Sequence, residues 1–290
     1  MALHRRTFTV PLPDGRELTL GARTLVMGVV NVTPDSFSDG GLRFDPARAI
    51  DDALRMVEDG ADLLDVGGES TRPGADPLPA EEELRRVIPV IEGLSRRAGV
   101  PISVDTYKAD VATRALDAGA TIVNDISALL YEPGLGAVAA ERRAAVILMH
   151  NRGRSKAMYA EASYGDVVAE VARELQRQAD DAMRTGVARE RIILDPGLGF
   201  AKRAEHSLAA LAGLDRLAEL GFPLLSGPSR KSFLKEGLGD VPPEERLWGT
   251  AAAVTASVLF GAHIVRVHDV REMVQVVRVA DSIAFYNRGQ

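Results

Sequence analysis

The 290-residue chain is expected to fold as an α/β protein, a (β/α)8 TIM barrel with an N-terminal β-hairpin. Three observations predict this. Eight short apolar runs recur along the chain, at 25–30, 63–66, 102–104, 121–123, 146–149, 192–194, 223–225 and 264–267. Each is β-branched or Leu-rich and continuously apolar, as a strand covered on both faces should be. Amphipathic helical stretches fill the intervals, and eight strand–helix units close naturally into a barrel, with a doubly wound open sheet as the alternative.

Ahead of the first run, Asp14-Gly15 lies between two β-like segments, the signal of a hairpin over about residues 7–21. Among the helices, Asp166 can cap a segment in which Val167, Val171, Leu175 and Ala182 share a face, with Gly186 as terminator. Asp269 and Glu272 have the spacing of a capping box, with Asp in place of Ser or Thr. Val270, Met273, Val274, Val277 and Ala280 continue it as a helical stripe. Pro89 falls inside the helix suggested by Leu84, Val87, Ile88 and Ile91, which predicts a kink or restart. No linker, low-complexity tract or composition shift divides the chain, so residues 1–290 are expected to form a single domain.

Composition narrows the function. A hydrophobic content of 46% supports a large core. The absence of cysteine excludes disulfides, thiolate zinc sites and a Cys nucleophile together. The start, Met1-Ala2-Leu3-His4-Arg5-Arg6, has no apolar core after its charges and is not a signal peptide. The weakly polar run at 251–262 is too short to cross a bilayer, so a cytoplasmic protein without membrane partners is expected. A net charge of −6 argues against a nucleic-acid binder with a broad basic surface, yet allows a small basic pocket for an anionic ligand.

In a barrel, functional side chains belong at the C-terminal ends of the strands. Those ends read Asn31; Asp65 with the loop 67–74; Asp105-Thr106; Asn124-Asp125; His150-Asn151; Asp195-Pro196-Gly197; Ser226 to Ser232; and Arg266-Val267-His268-Asp269. A single Asp after a strand is ordinarily a helix cap. Eight runs that all end in polar residues point to one shared site. Asn31, Asp105, Asn124 and Asp195 supply acceptors and amides suited to a flat heterocycle with several N–H donors. Arg72, Lys231, Arg266 and His268, with Ser229 and Ser232, suit phosphate. Arg266 and His268 are two apart, on the same side of an extended strand.

Other chemistries find no support. Gly227-Pro228-Ser229-Arg230-Lys231-Ser232 resembles a P-loop only superficially, since Arg230 stands where Gly should precede the lysine. No G-x-G-x-x-G follows a strand, and the five histidines form no dense metal-ligand cluster. Mg²⁺ held by Asn31, phosphate oxygens and water remains open, because that ion seldom needs an all-protein cage.

Residues 31–41 (NVTPDSFSDGG) and 65–74 (DVGGESTRPG) resemble the two signature segments of the dihydropteroate synthase family. Further blocks match in order: Ser103 to Thr106, Asn124-Asp125-Ile126, Asp195 to Phe200, Ser229 to Phe233 and Arg266 to Val270. The resemblance covers almost the whole chain, with no departure at a functional position. It implies a transferase of folate biosynthesis that joins 6-hydroxymethyl-7,8-dihydropterin diphosphate to 4-aminobenzoate, giving 7,8-dihydropteroate and diphosphate with Mg²⁺. By the same resemblance, Asp105, Asn124, Asp195 and Lys231 would hold the pterin; Thr71, Arg72, Arg266 and His268 the diphosphate; and Asn31 the metal. Phe37, Pro73, Phe200 and Ser232 would border the aminobenzoate, where sulfonamides compete in this family. Asp105, Lys231, Arg266 and His268 would form the catalytic set, and a homodimer is implied.

The residue chemistry agrees. Diphosphate is a good leaving group and an aryl amine is neutral, so the site should stabilise departing negative charge and an electron-poor methylene. An SN1-like substitution is expected. Two rival readings are a methyltetrahydrofolate-binding domain of a corrinoid methyltransferase, and a non-catalytic pterin-binding paralogue. The first has no use for the Thr71-Arg72-Pro73-Gly74 loop; the second is disfavoured by the intact set of site residues.

Overall fold

The structure, a computed structural model, describes residues 5–33, 45–70, 74–154, 159 and 162–286. Strands β1 (Phe8–Pro11) and β2 (Glu17–Leu20) pair antiparallel as the expected hairpin. The remaining strands are β3 (Leu25–Asn31), β4 (Leu63–Gly67), β5 (Ile102–Asp105), β6 (Ile122–Asp125), β7 (Ala145–Met149), β8 (Ile192–Asp195), β9 (Leu225–Ser226) and β10 (Ile264–Val267). Between and after them lie helices α1 (Pro46–Glu58), α2 (Ala80–Ser95), α3 (Ala109–Asp117), α4 (Gly134–Glu141) and α5 (Val167–Arg184). The second half adds α6 (Ala204–Ala212), α7 (Leu214–Leu217), α8 (Lys235–Leu238), α9 (Leu247–Leu259) and α10 (Val270–Phe285).

Strands β3 to β10 form one parallel sheet in the order β8-β7-β6-β5-β4-β3-β10-β9. A parallel bridge from Leu194 to Leu224, with Leu194 N donating to Pro223 O at 2.9 Å, brings the two edges together. The result is a nearly closed TIM barrel with a separate hairpin, the architecture expected. The strand expected at 223–225 begins only at Leu225, because Pro223 has no N–H to enter the ladder.

Strand alternation divides the side chains in two. Val26, Val30, Leu64, Val66, Val104, Val123, Val146, Leu148, Leu194, Val265 and Val267 face outward and pack with the helices. Leu25, Met27, Leu63, Ile122, Ala145, Ile147, Ile193, Leu225 and Ile264 face inward, where Val10, Leu12, Leu18 and Leu20 of the hairpin join them in one apolar cluster. The hairpin therefore plugs the N-terminal end of the barrel. Full burial of each such leucine favours the fold by roughly 1.5–3 kcal/mol.

Helix α5 begins and ends as expected, with Asp166 accepting from Ala169 N and Gly186 beyond its last turn. Two helix expectations need correction. Helix α2 runs from Ala80 to Ser95 through Pro89 without a restart, and the proline sits on its exposed side. Asp269 does stand at the start of α10, but its side chain makes no capping bond. Its carboxylate is gripped on both oxygens by Arg230, and a charge-assisted fork of this kind outcompetes a cap. No helix among the described residues is long and apolar enough to cross a membrane.

Candidate active site

The inward-facing rows change character in one step. Two positions beyond inward Leu63, Ile122, Ile193 and Ile264 come Asp65, Asn124, Asp195 and Arg266, and Asp105 lies two beyond Ser103. At about 3.3 Å rise per residue, this polar layer sits roughly 7 Å above the apolar plug. Register aligns Asn31 with Gly67, Gly67 with Asp105 and Asp105 with Asn124 across four neighbouring strands. Gly67 leaves room for its neighbour: a Cβ there would lie 3.3 Å from Asp105 Cβ.

The layer is bound by charge. Arg266 donates from Nε to Asp65 Oδ2 at 2.6 Å and from Nη2 to Asp105 Oδ2 at 2.8 Å. The same Asp65 oxygen accepts from Asn124 Nδ2 at 2.9 Å, so one carboxylate orients two neighbours. Burial works against the Arg266 charge, but Asp65 and Asp105 hold its pKa above the ordinary value. Burial pushes Asp105 well above the usual carboxylate range; Arg266 opposes this, and repulsion from Asp65 and Glu83 adds to it. Asp195 rises to about 6, again through burial, with the Gly197 N–H, Lys231 and Arg266 pulling the other way.

Lys231 reaches the layer from the loop after β9. Arg230 adopts a left-handed backbone, φ 59°, which a residue with a Cβ disfavours. The conformation is secured by Arg230 N donating to Thr250 Oγ1 at 3.0 Å and Arg246 Nη1 donating to Arg230 O at 2.8 Å. Arg230 then turns to Asp269, and Lys231 turns to the mouth, with Nζ 3.9 Å from the Phe200 ring centroid. Ser229 Oγ bonds His268 Nδ1 at 3.0 Å and accepts from His268 N at 3.2 Å, joining this loop to the end of β10.

The structure thus gathers Asp105, Asn124, Asp195, Phe200, Lys231 and Arg266 at one mouth. Asn31 lies at the end of β3, and His268 directly after β10. Ser232 is exposed at the start of a short 3-10 turn beyond Lys231. Phe37, Thr71, Arg72 and Pro73 lie outside the described residues. Sequence reasoning placed Asp65 among the polar strand ends but gave it no role; its bonds to Asn124 and Arg266 join residues far apart in the chain, which no local pattern displays. Asp125, next to Asn124, faces the other way and braces its loop by accepting from Ser127 N at 2.7 Å and Leu129 N at 2.6 Å. No cluster of three or more His, Cys, Asp or Glu among the described residues could hold a metal. A lone amide at Asn31 fits an ion whose other ligands are phosphate oxygens and water.

A barrel whose mouth combines buried carboxylates, an amide and cations suits a flat, polar, anionic ligand. The chain belongs to the pterin binding enzyme family, whose sequence profile matches residues 27–268. It is 50% identical over 277 residues to dihydropteroate synthase of Synechocystis sp., covering 95% of this chain and 96% of that one. Among solved structures, Xanthomonas albilineans dihydropteroate synthase with 4-aminobenzoic acid matches with a TM-score of 0.88 and 46% identity, over 95% of this chain and 98% of that one. The same enzyme in complex with 7,8-dihydropteroate matches with a TM-score of 0.85 and 44% identity, over 95% and 98%.

The raised pKa of Asp195 makes a stability prediction. A carboxyl whose pKa is higher folded than unfolded binds more protons in the native state between about pH 4 and 6, so its ionisation destabilises the ligand-free fold as pH rises through that window. Asp195→Asn is expected to stabilise the ligand-free protein at pH 7.5, on the order of 2–3 kcal/mol, with the gain vanishing towards pH 4. Denaturant unfolding of both proteins across pH checks this; a gain that does not depend on pH would contradict it.

Proposed function

We propose that the chain condenses 6-hydroxymethyl-7,8-dihydropterin diphosphate with 4-aminobenzoate, releasing 7,8-dihydropteroate and diphosphate. It is thus a transferase of folate biosynthesis. The observation that carries this reading is the convergence, at one barrel mouth, of a carboxylate and amide set with Lys231 packed on Phe200. Identity near one half over nearly the full length of named dihydropteroate synthases supports it, as does the likeness to one that holds the product. A corrinoid methyltransferase domain and a non-catalytic paralogue are not favoured.

In this reading, Asp195 and Asn124 accept and donate along the polar edge of the pterin, and Lys231 closes over the ring. Asp105 lies near the methylene and, when ionised, favours the positive charge that develops there. Arg266 and His268, with Thr71 and Arg72, draw the diphosphate away from that carbon. The C–O bond breaks with its electron pair on the diphosphate; the aryl amine then forms the C–N bond and loses a proton to water. Phe37, Pro73, Phe200 and Ser232 would form the aminobenzoate subsite, where a sulfonamide would compete. Mg²⁺, held by Asn31 together with diphosphate oxygens, would supply further neutralisation of the leaving group when bound. Because the diphosphate substrate is too charged to cross a membrane unaided, a cytoplasmic setting belongs to the same reading; co-fractionation with a cytoplasmic marker checks it.

Diphosphate release that requires both substrates is expected of the wild-type protein. Lys231→Ala and Arg266→Ala should each lower kcat/KM by roughly 10²–10³-fold; Lys231→Ala should unfold like the wild type at matched pH, whereas Arg266→Ala, which leaves Asp65 and Asp105 without their partner, should unfold more readily. Near-normal turnover in either variant would remove the site assignment. For the dissociative step, oxygen-18 in the bridging position of unreacted substrate should scramble without aminobenzoate; a strict need for aminobenzoate would count against it. A homodimer is part of the same proposal, since α10 exposes Val279 and Ile283, with Tyr286 exposed directly after its last residue. Ile283→Asp should sediment as a monomer where the wild type sediments as a dimer, and a monomeric wild type would end that part.

A further inference from the structure

We propose that Lys202 is a positioning residue for this reaction, an internal clamp that holds the loop from Asp195 to Phe200 so that both end residues face their substrates. The inference rests on the transferase reading and adds to it a residue that touches neither substrate. Lys202 is among the largest fully buried side chains, only 2% exposed. Its Nζ lies 2.8 Å from His150 Nδ1 and 3.2 Å from each of Gly197 O and Phe200 O, with His150 O further off at 3.5 Å. Three N–H groups meet three close acceptors, the inventory of an ammonium; burial lowers its pKa to about 7, and the charge of Asp195 works the other way.

The arrangement continues outward. Donation by Lys202 to Nδ1 leaves the His150 proton on Nε2, which lies 2.9 Å from Glu174 Oε2 on α5. Glu174 is held in turn by Arg152. The histidine is kept neutral by burial first and by the Lys202 charge second, its pKa falling to about 4. A helix, a strand end and a loop are thereby joined through one amine.

The loop needs such a hold. Gly197 is left-handed, φ 66°, and a Cβ there would lie 2.0 Å from His150 O, so the loop presses on the very residue that anchors Lys202. Ala201 is also left-handed, φ 45°, and the Tyr164 hydroxyl donates to its carbonyl at 2.9 Å. The two carbonyls that Lys202 grips bracket the turn. At its start, Gly197 N donates to Asp195 Oδ1 at 2.7 Å; at its end, the Phe200 ring meets Lys231. Release of the amine would therefore shift the pterin contact and the aminobenzoate contact together, and with them the ring on which Lys231 rests, while leaving the Arg266 pairs in place. A buried charge of this kind is seldom retained for stability alone, since an apolar replacement of equal size often serves as well.

The test is Lys202→Met, which keeps the stem and removes the donors. The KM for pterin diphosphate and the KM for 4-aminobenzoate should both rise by about tenfold or more, while kcat at saturation changes by less than about threefold. A lower unfolding temperature with both KM values unchanged would overturn the proposal, and so would a loss confined to kcat. If Lys202→Met does not fold, Glu174→Gln loosens only the outer anchor and should raise both KM values by a smaller, still joint factor; unchanged values there would overturn it equally. Absence of diphosphate release from the wild type would sink the transferase reading instead. In that event, calorimetric binding of 6-hydroxymethylpterin decides the clamp: weaker for Lys202→Met than for the wild type supports it, and equal affinity rejects it.

Discussion

Everything at the mouth of this barrel depends on one guanidinium held between two carboxylates. Arg266 carries its charge inside the protein against Asp65 and Asp105, at 2.6 and 2.8 Å, and in turn compensates the burial of both carboxylates. Removing any one of the three would leave the others uncompensated in a poorly solvated setting, where an unpaired charge is far more costly than a paired one. The arrangement is not tuned for stability. Asp105 and Asp195 are both pushed above the ordinary carboxylate range, so the ligand-free site sits under electrostatic tension that a ligand with N–H donors and an anionic tail would relieve.

The barrel supplies that site by strand alternation alone. An inward row that is Leu63, Ile122, Ile193 and Ile264 at one level becomes Asp65, Asn124, Asp195 and Arg266 at the next. The lower level joins the hairpin in a closed apolar plug, which excludes water from beneath the charges. Low polarity below and open loops above make the polar layer both strongly interacting and accessible. Tension at the mouth and cohesion at the base are two levels of the same strands.

Much of this was legible in the sequence. The strands were, because a strand covered on both faces has an unbroken apolar run; the hairpin was, because Asp-Gly between β-like segments has few other uses. The polar residues that end those runs marked the mouth. Asp65 was marked with them, but its part in orienting Asn124 and Arg266 was not, because those partners are 59 and 201 residues away in sequence. Arg230 and Lys231 are adjacent cations with opposite destinations, decided by a left-handed backbone that no residue type announces. The capping role expected of Asp269 failed because its competitor, Arg230, is distant in sequence. Lys202 lay in a loop with no periodicity, and its partners are mostly backbone carbonyls, which sequence patterns do not display.

The central claim is that residues from six separate strand ends read one ring and its diphosphate together. A crystal structure of the chain with 6-hydroxymethylpterin diphosphate measures this most directly. The account predicts the ring edge within hydrogen-bond reach of Asp195 and Asn124, the ring beside Lys231, and the diphosphate towards Arg266 and His268. A ring seated anywhere else, or a diphosphate pointing away from Arg266, would contradict it.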